Sequence, residues 1–239
     1  MTGIDHILMI FTIFILGFLI GRIAAVAIEA LPEGRFFFFK NLRNKKFSLS
    51  NFIVQLIVGI VFVLIHSKYG ISAEFMFFAY IMLILITMFF IDLKTKTIPD
   101  ELVAAGFLGG FIAFIYNIFI PLKIYPSSGW WEPLIGMLPG SGILLTIAVL
   151  GMIFYKSDDV MGMGDVKIFA PIGMLLGWKM CMLALLISMF IGGVTSLILV
   201  LLRVKKRKDT IPFGPFISLA VLIVILFGEE IWKWYFYWM

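Results

Sequence analysis

IMLILITMFFIDLKTKTIPDE, from Ile81 to Glu101, decides the fold class. Its first half is apolar without the strict alternation that a half-buried strand would show. It stops on Asp92, and Lys94, Lys96 and Pro99 follow within a few positions. Proline disfavours helical backbone in the residue before it, so the stretch reads as a helix, an end and a turn. Upstream the apolar run reaches back to residue 74. Its length matches the roughly 20 residues that carry a helix across the hydrocarbon core of a bilayer.

Seven further apolar runs lie at 6–30, 50–67, 101–120, 133–155, 166–178, 180–202 and 212–228. The expected fold is therefore all-α: a polytopic membrane protein, a bundle of about eight transmembrane helices, in one domain over 1–239. The run at 166–178 is short for a span, which predicts a tilted or broken element near a functional site. The runs lack the period-two pattern of a membrane barrel. No internal repeat and no linker divides the chain. Gly106 with Gly110, and Gly136 with Gly140, have the spacing that lets membrane helices pack closely.

Composition supports this class. Apolar residues make up 62% of the 239 and charged residues 14%, against ~45–50% and ~25% in an average soluble domain. A soluble enzyme, a disordered chain and a nucleic-acid-binding domain are excluded. The single Cys181 rules out a disulfide framework or a multi-cysteine zinc site, and His6 and His66 are too few for a histidine-rich one. Cys181 is expected to be a packing residue and His66 to lie at an outer loop edge. No metal is expected.

Charge sets the orientation. Arg35, Lys40, Arg43, Lys45 and Lys46 follow the first run, and Lys94 and Lys96 follow the third. Lys156 and Lys167 flank the next such loop, and Arg203, Lys205, Lys206, Arg207 and Lys208 precede the last run. If the chain threads eight times, fourteen of its 19 basic residues share one face. The positive-inside rule makes that face cytoplasmic and puts both termini outside. Trp130, Trp131, Trp232, Trp234 and Trp238 then form an outer aromatic belt, and Phe36 to Phe39 lie along the inner interface.

Two acids stand apart on the cytoplasmic side. Asp92 ends the third run, and Asp165 opens the sixth within DDVMGMGDVKIFA, Asp158 to Ala170. Threading places both at one membrane face. A carboxylate near hydrocarbon costs enough to need a partner, a proton or a function. Two carboxylates sharing a site hold one proton between them, so one can activate water while the other protonates a leaving group. That is aspartic-protease chemistry, and it needs no metal. Gly162 and Gly164 would let the backbone come close. The dipole at a helix N-terminus favours the charged form of Asp165, and that at a C-terminus the neutral form of Asp92. Asp100 reads as the N-cap of the fourth span. Asp158 and Asp159 read as loop charge.

At these residues the sequence resembles a known family. IDLKTKTIPDE (Ile91 to Glu101) and GMGDVK (Gly162 to Lys167) are similar to the two signatures of the type IV prepilin leader peptidases, the second being their GxGD motif. IPFGPFISLA, Ile211 to Ala220, is similar to the segment that opens their last helix. The resemblance covers about residues 75–228. It implies an intramembrane aspartic endopeptidase in a bacterial cytoplasmic membrane, multi-pass, which removes the basic leader from prepilins or pseudopilins at the cytoplasmic face. Asp92 and Asp165 carry over as the catalytic pair and Gly162 and Gly164 as motif glycines. Pro99, Asp100, Pro212, Gly214 and Pro215 carry over as supporting positions. The implied partners are prepilin or pseudopilin substrates and membrane lipid, with no nucleic acid, and the peptidase core is 74–228.

The N-terminal part departs from the family. Larger members carry a cytoplasmic region with paired CxxC motifs between the first two spans, and they also N-methylate the mature pilin. GRIAAVAIEALP, Gly21 to Pro32, has Ala25 and Ala30 where that region's Asn and Arg are expected. Within 1–49 a first span and a short basic loop without cysteine take the region's place. Peptidase activity needs no cofactor. Methyl transfer is not expected, and S-adenosylmethionine would serve only if that activity is retained. The rival readings are a proton- or cation-coupled transporter, for which Arg22 and Glu29 suggest a polar path, and an assembly subunit that binds pilins without cutting them.

Overall fold

The computed structural model describes residues 3–33, 48–155, 162–206 and 209–237. The basic loop from Arg35 to Lys46, Phe36 to Phe39, Lys156, Asp158, Asp159, Arg207, Lys208 and Trp238 lie outside the described residues. Among those described, the regular structure is entirely helical. The helices are α1 (Gly3–Ala30), α2 (Leu49–Tyr69), α3 (Ala73–Thr95), α4 (Asp100–Phe119), α5 (Glu132–Met137), α6 (Ile143–Tyr155), α7 (Met163–Leu201) and α8 (Gly214–Tyr237). A π-helical turn over Leu138–Gly142 joins α5 to α6. It contains Pro139, whose missing N–H and bulky ring disturb a regular helix at that point.

Among the described residues, seven helical stretches are long and apolar enough to cross a membrane, with α5 and α6 joined as one. The eighth expected segment is inside α7. Asp165 in the first turn of α7 and Gly193 near its end line one cavity, although a straight helix would hold them about 42 Å apart. The chain must fold back between them. It does so at Gly177, where φ is 74° and ψ is 166°, a region essentially closed to residues with a side chain. The expected runs 166–178 and 180–202 are the two limbs of this hairpin.

Helix α3 is the hub. Phe78, Ile81, Leu85, Met88 and Ile91 on its successive turns are almost wholly buried, and α3 touches α1, α2, α4, α7 and α8. A helix apolar on every side belongs in such a position. Lipid is as apolar as leucine, so helices in a bilayer associate through close packing rather than hydrophobic exclusion. Both glycine pairs serve that end. A Cβ on Gly106 or Gly110 would press on Pro171 or Met174, and one on Gly136 would lie 2.1 Å from the Gly173 carbonyl oxygen. Gly140 meets Phe169 and Cys181, and Cys181 is buried as a packing residue should be. His66 differs from expectation. It lies in the last turn of α2, only 4% exposed, with its ring edge-on to Phe75. The helix runs two residues past the apolar run, to Tyr69, and His66 stays in the packed bundle.

The segment between α4 and α5 is held by polar contacts. Asn117 Oδ1 accepts the Leu122 N–H at 2.9 Å, and its Nδ2 donates to the Gly129 carbonyl at 3.2 Å. The Tyr125 hydroxyl donates to the Met174 carbonyl at 2.7 Å, and its ring covers Gly177. Burial, and secondarily the Glu132 carboxylate, push the Tyr125 phenol up, so it stays protonated and able to donate. Asn117→Ala strips one buried and one part-buried backbone group of their partners. It is expected to cost about 2 kcal/mol and to raise amide exchange across residues 120–131, measured by thermal unfolding and hydrogen exchange.

Candidate active site

The Asp92 side of the site begins with the end of α3. Asp92 lies in the last turn and is only 4% exposed. Lys96 caps the helix in the left-handed conformation, φ 55° and ψ 35°, and its N–H donates to the Asp92 carbonyl at 2.9 Å. Pro99 then occupies the N-cap position of α4 without a side-chain cap bond. This corrects the expectation for Asp100, which is the first residue of α4 rather than its cap. Its carboxylate instead accepts a bond from Lys167 Nζ at 2.7 Å, tying the start of α4 to the start of α7.

Asp165 stands in the first turn of α7, its N–H donating to the Gly162 carbonyl at 3.1 Å. It is partly buried. Gly162 has a steric reason to be glycine, since a Cβ there would sit 2.8 Å from Asp165 Oδ2. Gly164 lies against Ile98, whose Cβ would be 2.9 Å from an added one. The turn that carries Asp165 therefore rests on the loop that follows Asp92.

The third signature completes the site. Gly214, the first residue of α8, donates its N–H to Asp92 Oδ2 at 2.8 Å, and a Cβ on Gly214 would touch the same oxygen. Pro215 follows where a missing N–H costs the helix nothing. The sequence suggested only the C-terminal dipole of α3 acting on Asp92. Folding adds the N-terminus of α8, and helix termini of opposite polarity meet at this carboxylate. The Ser218 hydroxyl, buried, lies 2.9 Å from both the Leu85 and Gly214 carbonyls and holds α8 against α3.

Asp92 and Asp165 line one cavity of about 930 Å³, together with Gly162, Pro212, Phe213 and Phe216. The two acids reach it from different helices, α3 and α7. Such a volume suits an extended segment of peptide rather than an ion alone. Among the described residues no group of three or more His, Cys, Asp or Glu side chains could hold a metal ion.

Sequence reasoning missed the other walls. Lys96 and Thr210 line the cavity, as do Gly192 and Gly193 on the returning limb of α7. Lys96 lies inside a signature, but nothing in the sequence gives it a partner. The adjacent glycines in an apolar run were a signal, yet they reach the site only because the chain reverses at Gly177.

The model of the type IV leader peptidase family matches residues 78–197. A prepilin leader peptidase/N-methyltransferase of Legionella pneumophila is 31% identical over 199 residues, covering 82% of this chain and 66% of that protein. One of Aeromonas salmonicida is 30% identical over 152 residues, 64% of this chain and 49% of that one. One of Bacillus subtilis is 27% identical over 181 residues, 76% and 67%. The chain thus spans about half to two thirds of the length of these relatives. No solved structure matches it.

Proposed function

We propose that this chain, which belongs to the type IV leader peptidase family, is an intramembrane aspartic endopeptidase that removes the basic leader from prepilins or pseudopilins. Asp92 and Asp165 are the catalytic pair. The ionised member takes a proton from water as the water oxygen attacks the scissile carbonyl carbon. The protonated member gives its proton to the amine as the C–N bond breaks. The observation that carries this reading is the shared cavity, in which two acids from separate signatures are each backed by a glycine. The named relatives are peptidases, which gives the transporter reading no support.

Orientation follows from charge. The site opens at the cytoplasmic face of a bacterial cytoplasmic membrane, and both termini lie outside. The peptidase core is 74–228. The relatives' names also include N-methyltransferase. We assign this chain the peptidase step alone, because the stretch after Pro32 is short where the N-methylating members carry a larger cytoplasmic region.

The test uses the purified full chain in lipid nanodiscs with a prepilin. Mass spectrometry should find the leader released and the new amino terminus unmodified, even with S-adenosylmethionine present. An intact prepilin would refute the peptidase reading, and a methylated terminus would refute the restriction to one step.

A further inference from the structure

The cavity holds a lysine that the two-carboxylate chemistry does not require, and its backbone is strained. Lys96 caps α3 in the left-handed conformation, which glycine or asparagine would adopt at lower cost. Strain of this kind persists where the surroundings impose it, and it points toward function.

The side chain supplies a reason. Lys96 Nζ donates to the Thr210 carbonyl and to Thr210 Oγ1, both at 3.1 Å. From Thr210 the chain passes through Ile211, Pro212 and Phe213 to Gly214, whose N–H donates to Asp92 Oδ2. The N–H of Lys96 itself donates back to the Asp92 carbonyl. These contacts close a ring that starts at the backbone of Asp92 and ends on its carboxylate. Left-handed dihedrals at Lys96 turn the chain out of α3, and the ammonium then spans to the strand of backbone before α8. Pro212 removes one degree of freedom from the short link between the two bonds.

We infer that Lys96 and Thr210 form a latch that fixes the orientation of the Asp92 carboxylate, and that both are positioning residues for peptide cleavage. This rests on the peptidase reading. The ammonium acts through the backbone of residues 210–214 and not by contact with substrate. A latch of this type sets the rate of the chemical step and leaves substrate affinity nearly alone, since small misplacements of a reacting group slow turnover steeply.

The full chain in nanodiscs tests this by two readouts, prepilin cleavage and hydrogen exchange over residues 211–217. Lys96→Gly relieves the backbone strain and removes the latch. It should melt no lower than wild type while kcat falls about tenfold with KM little changed, and exchange over 211–217 should rise. Lys96→Asn, which also tolerates the left-handed conformation, should behave alike. Lys96→Arg and Thr210→Ser should keep most of the rate, and Thr210→Val should lose part of it. Because the two residues act as one device, Lys96→Gly with Thr210→Val should be no slower than Lys96→Gly alone. Unchanged exchange in Lys96→Gly, or losses that multiply in the double variant, would overturn the latch. A wild-type chain that cuts no prepilin would sink the peptidase reading instead, and the exchange arm would still decide whether the ring exists.

Discussion

Asp165→Asn is expected to reduce prepilin cleavage at least about 100-fold without loss of the folded protein, and Asp92→Asn to do the same. Asparagine has nearly the shape of aspartate but cannot accept or release the proton that each half of the reaction moves. At position 92 the amide oxygen can still accept the Gly214 N–H that Asp92 Oδ2 now accepts, so the turn before α8 should survive. At position 165 the backbone bond to Gly162 is untouched. The measurement is single-turnover cleavage of a prepilin with each variant at matched concentration, beside a thermal melt of each. A variant that melts normally and still cuts at the wild-type rate would remove that residue from the catalytic pair. The two losses should not multiply in the double variant, because either change alone breaks the dyad.

Gly177→Ala is expected to be the most damaging small substitution outside the cavity. At φ 74° and ψ 166° an added Cβ is strained by its own backbone, at a cost of about 3 kcal/mol. That Cβ would also lie 2.9 Å from the Tyr125 ring, and Tyr125 is anchored to the Met174 carbonyl. The residue follows Asp165 on the same limb of α7, about 18 Å along the helix. Yet the reversal brings Met189, Gly192, Gly193 and Ser196 to the site, so a relaxed hairpin would open one cavity wall. Thermal unfolding should show the loss of stability, and cleavage should fall in parallel. Gly177→Ala with wild-type stability and activity would mean that the chain reverses by other dihedrals.

Much of the site was readable before any fold was known. Asp92 and Asp165 sit at the ends of apolar runs, where a charge stands out against hydrocarbon, and threading alone carried them to one face. Gly162 and Gly164 were visible as motif glycines that let the backbone come close, and Gly214 as a supporting position, but the neighbours they meet were not. A Cβ added to any of them would lie 2.8 or 2.9 Å from a neighbour that is distant in sequence or aimed at it by a turn. The role of Asp100 was misread because a helix start resembles a cap in sequence, and the Lys167 that claims it lies 67 residues away. Lys96 was counted as one more cytoplasmic charge, since neither its dihedrals nor its bond to Thr210 is a local property.

What the sequence determined by itself is the class of molecule, the approximate place of each span and the two acids in question. Hydrophobic length and charge placement are one-dimensional quantities, and a bilayer reads them directly. What tertiary structure alone decided is the reversal at Gly177, the approach of α8 to Asp92 and the walls of the cavity. Each depends on which surfaces meet after the helices insert, and that is set by contacts between residues that no local pattern joins.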